Sequence, residues 1–246
     1  ECVCKNKEQC CIKSTNKKKR GSFEEYSRTF MLKDIDEHKE REQEVAIIKK
    51  IEGHQMMEWN NGMMLLMKLP GYILPTNTFA CLVGLSEQKY PKIRSLLYHC
   101  ARVQSREAVN MQIPRFGFNP DEKLFHSILE HSSMTGYGLV KARELNIPKK
   151  RAIMGVTHNT LALQYRNLFS ESKSGIDHYF AGLLAGMCEG FFGEQIHIQE
   201  KECIACKSKQ CVFEINARAP PKSQYPIEQR HLQVIEEKIK PQNFLL

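Results

Sequence analysis

The residues with the clearest chemical potential lie at positions 193–215, which read GEQIHIQEKECIACKSKQCVFEI. Glu200, Cys203 and Cys211 form a Glu-x-x-Cys-x7-Cys pattern, and Cys206 makes a Cys-x-x-Cys pair with Cys203. Zn²⁺ accepts thiolate and carboxylate ligands in a tetrahedral arrangement. The spacing therefore predicts a zinc site in this part of the chain.

The alternative is that these cysteines are reduced side chains that fill core space as small apolar groups. Three cysteines within nine residues, with a glutamate three positions upstream, favour a metal. We expect a structural metal, because a catalytic zinc needs an open coordination position and a nearby general base. The sequence has no Ser-His-Asp order and no HExxH, Walker or Rossmann motif, so we predict no enzymatic activity.

A hairpin must bring these ligands together. Residues 195–200 and 211–215 each alternate apolar and polar side chains, which is typical of a half-buried strand. If the two strands pair, the segment between them folds back and places Glu200, Cys203 and Cys211 near one another.

A glycine-rich helix precedes the hairpin. Residues 177–192 predict a helix in which Gly182, Gly186 and Gly190 follow one another at one-turn spacing. Each glycine costs helix stability, about 1 kcal/mol relative to alanine, so the repetition needs a structural reason. Close packing on a strand, or room for a ligand, would provide it.

Prolines and glycines divide the chain upstream of that helix. The apolar run 63–69, closed by Pro70-Gly71, predicts a buried strand, and residues 152–157 predict another. Three helix starts are predicted: after Pro75 with Thr76 or Asn77 as the cap, after Pro91, and at Asn119.

Composition separates this central part from its flanks. Of the formal charge of +8, +5 lies in the first twenty residues, where seven basic side chains face two acidic ones. The basic balance belongs to the tail, so we predict no specific nucleic-acid binding. Ten cysteines, without a signal peptide or a run of 18 apolar residues, indicate a reduced, cytoplasmic protein without a membrane span. The chain begins with Glu1, so an upstream domain stays open.

The order of these motifs resembles the 4-vinyl reductase domain family. The matching residues are Gly182-x3-Gly186, then Gly193, then Glu200-x-x-Cys203-x7-Cys211-x-Phe213. The family comprises small-molecule-binding domains of hydrocarbon-binding proteins and of sensors of aromatic compounds. More distantly, the pattern is similar to the Bet-type subunits of the TRAPP vesicle-tethering complex.

That resemblance implies an α/β fold of the α+β type, an antiparallel sheet backed by helices, usually dimeric. Four segments are then expected: a basic cysteine-rich tail at 1–21, a helical extension at 22–58, the 4-vinyl-reductase-like ligand-binding domain at 59–216, and a linker with a C-terminal helix at 217–246.

The resemblance also implies a ligand set for the zinc ion. In the aromatic-sensing members one Cys, one Glu and two further Cys hold the metal. The last three correspond to Glu200, Cys203 and Cys211, whereas the first Cys corresponds to Asp177, next to His178. The fourth ligand is therefore open, and the candidates are Asp177, His178, Cys206 and Cys188.

A ligand cavity between sheet and helices is a further implication of the resemblance. The candidate lining residues are apolar side chains and one imidazole: Met154, Val156, His158, Phe180, Leu183, Leu184 and Met187. The alternative for each residue is that it packs in the hydrophobic core without contacting a ligand.

Three functions are compatible with these patterns. The first is a sensor or carrier domain that binds a small hydrophobic or aromatic molecule and signals to a protein partner. The second is a TRAPP-like scaffold or tethering subunit that acts through dimerisation. The third is a reductase-type enzyme, for which the sequence offers no cofactor motif or acid–base pair.

Overall fold

The structure is a computed structural model that describes residues 57–60, 63–66, 69–71, 74–116, 120–217 and 224–239. The described residues belong to one compact unit, Ile51–Leu246. The predicted tail at 1–21, with its four cysteines, and nearly all of the predicted extension at 22–58 lie outside the described residues.

Three short strands open the described part of the chain. They are β1 (Met57–Asn60), β2 (Met63–Leu66) and β3 (Leu69–Gly71), paired antiparallel in that order. The prediction of one strand over 63–69 was wrong. The apolar run folds back on itself so that Leu66 pairs with Leu69, because two short antiparallel strands satisfy each other's backbone groups.

A four-stranded antiparallel sheet forms the centre of the domain. Its strands are β4 (Leu139–Asn146), β5 (Arg151–Thr157), β6 (His197–Glu202) and β7 (Cys211–Asn216), in the order β4-β5-β7-β6. Two hairpins, β4–β5 and β6–β7, are therefore joined by the pairing of β5 with β7. The predicted fold class, an antiparallel sheet backed by helices, is confirmed.

Six helices are present in the described residues. They are α1 (Thr76–Lys89), α2 (Ile93–Phe116), α3 (Glu122–Ser132), α4 (Thr160–Phe169), α5 (His178–Phe192) and α6 (Gln229–Lys238). A π-helical turn (Ser133–Tyr137) follows α3, and a 3₁₀ turn (Ile204–Cys206) lies between β6 and β7. None of the helices that the structure describes is long and apolar enough to cross a bilayer.

The residues at the helix starts differ in part from the predicted ones. Pro75 occupies the cap position of α1 and makes no side-chain cap, so the predicted cap at Thr76 or Asn77 was wrong. At α3, Asp121 Oδ1 accepts a hydrogen bond from the Leu124 N–H at 2.9 Å. An acceptor such as Asp121 stabilises the start of a helix, because the first N–H groups of a helix have no partner within it.

The glycine stripe of α5 packs against α2. A Cβ at Gly182 would collide with the Tyr98 carbonyl, and one at Gly186 would collide with the Arg102 carbonyl. The two expected explanations, a strand or a ligand beside the glycines, were therefore wrong. The glycines let two helix backbones approach closely, which a side chain at either position would prevent.

The other faces of α5 make it the central helix of the core. Phe180 meets Phe213 of β7 edge-on at 5.7 Å between ring centroids, and Phe191 meets Phe125 of α3 at 5.1 Å. Aromatic pairs in this geometry add to the stabilisation from apolar burial. Helix α5 therefore fixes the position of its N-terminus relative to the β6–β7 hairpin.

Candidate metal centre

Three donor groups converge beside the start of α5. Glu200 on β6, Cys203 after the end of that strand and Cys211 at the start of β7 each offer one ligand atom, and these atoms all lie within 4.8 Å of one another. We name this set the Glu-Cys-Cys cluster. Both cysteines are buried, and thiolates with a carboxylate are a donor set that suits Zn²⁺. The cluster can hold a metal ion.

A bulge and a tight turn bring the donors together. Glu200 pairs with Phe213 and Glu202 with Val212, so Lys201 is an extra residue in β6. Such a bulge bends the strand and re-aims the neighbouring side chains. The 3₁₀ turn then reverses the chain and is closed by the Ser208 N–H, which donates to the Cys203 carbonyl at 3.1 Å.

The three side chains of the cluster shift one another's pKa values. A hydrogen bond from the Cys211 thiol, with others from Glu200 and the backbone of Ile176 and Ala205, lowers the pKa of Cys203 to about 5. Burial, reinforced by the Cys203 thiolate, raises the pKa of Glu200 to about 10. The hydrogen bond to Cys203 raises the pKa of Cys211. Cys203 is therefore the donor of the cluster that loses its proton most readily.

One oxygen of the cluster lacks a protein partner. Glu200 Oε1 is buried and finds no hydrogen-bond partner among the described residues. The other oxygen, Oε2, accepts from the Asp177 N–H at 3.4 Å. An unpaired buried carboxylate oxygen is unfavourable unless a proton or a cation satisfies it. A metal ion held by the two sulfurs and the Glu200 carboxylate would supply such a cation.

The Asp177 backbone lies beside the cluster, but the side chains of Asp177 and His178 have other neighbours. Asp177 caps α5: its Oδ1 accepts from the Phe180 N–H at 3.2 Å, and its Oδ2 accepts from Asn159 at 2.6 Å. Burial raises the pKa of Asp177 to about 7. His178 Nε2 lies 3.0 Å from Glu87 Oε1, although the pair does not meet the angle of a hydrogen bond.

The two remaining metal candidates lie at different distances from the cluster. Cys206 ends the 3₁₀ turn, half-buried, and its thiol contacts that of Cys203; burial, then the charges of Cys203 and Glu200, raise its pKa to about 11. Cys188 is eleven residues beyond Asp177 on α5, which is about 16 Å along the helix axis. The structure thus places Cys206 near the cluster and Cys188 far from it.

The predicted ligand-lining residues lie mostly in the core. Met154 and Val156 of β5 are fully buried, as are Phe180 and Leu184 of α5, while Met187 is nearly so. Leu183 is half-buried, and His158 is exposed with a left-handed φ of 53°. The interior face of β5 and one face of α5 therefore bring five of the seven together, and His158 lies apart from them.

The sequence did not predict a buried network of polar side chains that links α2, α5 and the segment before α6. Arg102 Nε of α2 donates to Glu189 Oε1 of α5 at 2.8 Å, and Arg102 also contacts His99 Nδ1 at 3.3 Å. His99 Nε2 donates to the Tyr225 carbonyl at 2.9 Å, and Tyr225 Oη lies 3.2 Å from His178 Nδ1. The sequence feature that could have indicated this network is Glu189, the one acidic residue of the apolar helix α5, because a buried charge requires a partner.

The fold matches solved structures at low sequence identity. The phenol-responsive sensory domain of the transcription activator PoxR, solved with phenol, gives a TM-score of 0.58 at 14% identity, covering 67% of this chain and 86% of that one.

Two further structures give a TM-score of 0.42. A vinyl-4-reductase family protein from Methanocaldococcus jannaschii is 15% identical and covers 61% of this chain and 85% of its own. A trafficking protein particle complex subunit 3 from Naegleria fowleri, covalently bound to palmitic acid, is 12% identical and covers 60% and 98%.

No protein-family model matches the sequence, and no curated protein matches it. The sensory domain that responds to phenol is of a kind that the sequence resemblance predicted. The resemblance is confirmed at the level of the fold, which this chain shares with the PoxR sensory domain.

Proposed function

We propose that this domain binds a small hydrophobic or aromatic molecule and reports its presence to a partner, with a structural zinc ion in the Glu-Cys-Cys cluster. The observation that carries the proposal is the convergence of three donor atoms within 4.8 Å at the start of α5. It gains support from the fold shared with a sensory domain that was solved with phenol.

Zinc fits the donor set better than other common divalent ions. Thiolate ligands select zinc over magnesium or calcium, which prefer oxygen. A bound zinc ion would supply positive charge and cross-link the hairpin. The protein's own contribution is to orient the donors: the Asp177 N–H holds Glu200, and backbone hydrogen bonds from Ile176 and Ala205 hold Cys203.

Elemental analysis tests the metal directly. We expect about one zinc per chain in protein purified without added metal, and a lower Tm after chelation, because metal binding energy contributes to folding energy. Cys203→Ser should lose the zinc, whereas Cys100→Ser, which alters a half-buried thiol outside the cluster, should keep it. Zinc-free protein whose Tm does not respond to added zinc would contradict the metal site.

The aromatic part of the core is the expected site of the small molecule. Phe180 stacks on Tyr137 with ring centroids 4.8 Å apart and meets Phe213 at 5.7 Å. Tyr137 follows Gly136, whose left-handed φ of 87° kinks the chain after α3. An aromatic ligand beside these rings would gain further ring contacts.

A thermal-shift titration with phenol tests the ligand. We expect Tm to rise with phenol concentration in the wild-type protein, since a ligand of the native state stabilises it. Phe180→Leu should weaken this shift, whereas Phe191→Leu should preserve it, because Phe191 packs on Phe125 of α3. If neither phenol nor longer hydrophobic compounds shift Tm, the sensor function is wrong.

The scaffold alternative has one structural observation in its favour. Leu82 and Leu85 of α1 lie three residues apart on one helix face, with 54% and 55% of their surface exposed. Contact with a second copy of the chain would bury them. Light scattering should then show a dimer that Leu82→Ser with Leu85→Ser converts to a monomer, and a wild-type monomer would contradict this alternative.

A further inference from the structure

We propose that Cys206 supplies the fourth ligand of the metal centre, so that the site is one carboxylate and three thiolates, Glu200 with Cys203, Cys206 and Cys211. This inference rests on the proposed metal site and assigns the position that the three-donor cluster leaves open. It differs from the ligand set that the resemblance implies, where the remaining thiolate comes from before the glycine helix.

The turn that carries Cys206 has the form expected of a metal-binding Cys-x-x-Cys pair. Cys203 precedes the 3₁₀ turn and Cys206 ends it, and the Cys206 N–H donates to the Cys203 carbonyl at 2.9 Å, as the Ser208 N–H does at 3.1 Å. Within the turn, backbone Ala205 hydrogen-bonds to the Cys203 sulfur. A two-residue gap between thiolates is common in structural zinc sites.

The Cys206 thiol contacts one member of the cluster, although it is not among the three donors that lie within 4.8 Å of one another. It makes a side-chain contact with Cys203 and senses the charge of Glu200. Cys206 is half-buried, so its side chain has room to rotate toward a metal that Cys203 holds. We expect a change of its side-chain rotamer to bring the Cys206 sulfur to the open position.

The other candidates are committed to different partners. Both carboxylate oxygens of Asp177 accept hydrogen bonds, one from the start of α5 and one from Asn159. Both ring nitrogens of His178 have neighbours away from the cluster, Glu87 at 3.0 Å and the Tyr225 hydroxyl at 3.2 Å. Recruiting either residue would break contacts of the buried core, whereas recruiting Cys206 breaks none of this kind.

The surroundings can accommodate the charge of such a site. Three thiolates and a carboxylate around Zn²⁺ carry a net charge of about −2. Arg166 of α4 donates to the Ile204 carbonyl at 3.3 Å, which places a guanidinium against the same turn. The N-terminus of α5 also faces the cluster through the Asp177 N–H, and a helix N-terminus stabilises negative charge.

Cobalt substitution tests the ligand count. The full chain, stripped of metal under reducing conditions, is titrated with Co²⁺ alone, and the sulfur neighbours of the ion are counted by X-ray absorption. We expect three sulfurs in the wild-type protein and two in Cys206→Ser. The affinity of Cys206→Ser for Co²⁺ should fall by more than the roughly 10–100-fold that loss of an outer-shell partner costs.

The matched control is Cys100→Ser, which should retain three sulfurs and the wild-type affinity because Cys100 is outside the cluster. Two sulfurs in the wild-type protein, with an unchanged affinity in Cys206→Ser, would overturn the role of Cys206 and leave the metal site standing. No cobalt binding by the wild-type protein would overturn the metal site itself. Even if Cys206→Ser fails to fold, two sulfurs around cobalt in the wild-type protein would contradict a site of three thiolates.

Discussion

At the scale of single residues, the Glu-Cys-Cys cluster would have to release protons in order to bind the proposed cation. Near neutral pH, Cys203 is already ionised, since its pKa is lowered to about 5, but Glu200 keeps its proton because its pKa is raised to about 10. Cys211 also keeps its proton, because its pKa is raised. A metal ion that takes all three donors therefore has to displace protons from the carboxyl and from one thiol.

Metal binding should thus release about two protons per ion at pH 7, and about three if Cys206 also ligates. Because protons compete with the metal, the apparent affinity should rise with pH across the neutral range and fall toward pH 5. Calorimetric titration with zinc in buffers of different ionisation enthalpy would count the protons. A binding enthalpy that does not depend on the buffer would show that no protons are released, and would contradict the predicted protonation of Glu200 and Cys211.

The buried ion pair between Arg102 and Glu189 gives a second prediction at this scale. Both side chains are at least nine-tenths buried, and Glu189 Oε1 also accepts from the Ile196 N–H at 3.0 Å. Glu189→Ala would leave the Arg102 charge without its main partner, so the free energy of unfolding should fall by about 3–5 kcal/mol. Urea denaturation monitored by circular dichroism would measure the loss.

An exposed pair provides the control for that measurement. Lys150 and Glu194 lie 2.8 Å apart with 36% and 42% of their side chains exposed. Glu194→Gln should change the free energy of unfolding by less than about 1 kcal/mol, since water and salt screen such pairs. Equal effects of the two substitutions would show that burial does not determine the contribution of the Arg102–Glu189 pair.

At the scale of elements, the contact between α2 and α5 depends on missing side chains. The Cβ of an alanine at position 186 would collide with the Arg102 backbone, which cannot move without shifting α2. Gly186→Ala gains about 1 kcal/mol of helix propensity. Overpacking typically costs about 1–3 kcal/mol, and we expect the cost of a clash with backbone to be at the upper end of that range or above it. We expect a net loss of stability.

Gly190→Ala is the matched comparison. There a new Cβ would lie 2.8 Å from Val109 side-chain atoms and 3.1 Å from the Arg106 carbonyl, a milder conflict than at Gly186. Thermal denaturation should place Gly186→Ala below Gly190→Ala in Tm. The reverse order would mean that the helices do not approach most closely at Gly186.

The elements also show which parts of the fold can be predicted from sequence. The helix at 177–192 and the hairpin at 195–215 are local, and their periodicity predicts them. Strand β4, with the sequence LVKARELN, was not predicted because a bulge between Ala142 and Glu144 interrupts the alternation. Helix α4 was also missed, although Asn159 caps it by accepting from the Ala162 N–H at 2.8 Å.

Long-range partners set the limit of sequence-based prediction for the site. Glu200, Cys203 and Cys211 lie within twelve residues, so one hairpin suffices to bring them together. Arg102 and Glu189 are 87 residues apart, and His99 and Tyr225 are 126 apart. No local pattern pairs such residues, because their contact depends on how whole helices pack.

At the scale of the whole molecule, the segment before α6 ties the C-terminal region to the core. Tyr225 is buried and stacks on Tyr98 of α2, with ring centroids 3.9 Å apart and the planes inclined by 9°. Its hydroxyl reaches His178 of α5, and its carbonyl accepts from His99. One residue therefore connects the C-terminal segment to two helices of the core.

Tyr225→Ala should lower the free energy of unfolding by about 3–5 kcal/mol, because it removes a buried ring and leaves a cavity. Tyr225→Phe keeps the ring and loses only the hydroxyl contact with His178, so a loss of about 1 kcal/mol is expected. Chemical denaturation of both variants gives the comparison. If Tyr225→Ala unfolds like the wild-type protein, the C-terminal segment is not part of the cooperative unit.

Asn159 has a consequence for how this domain can change in evolution. Its side-chain oxygen accepts from the first turn of α4, and its amide donates to Asp177, which starts α5. A mutation at position 159 therefore disturbs two helix origins at once, and a mutation at position 177 leaves the amide without its acceptor. Among diverging relatives, these two positions should be inherited as a pair, and substitutions at one should be accompanied by substitutions at the other.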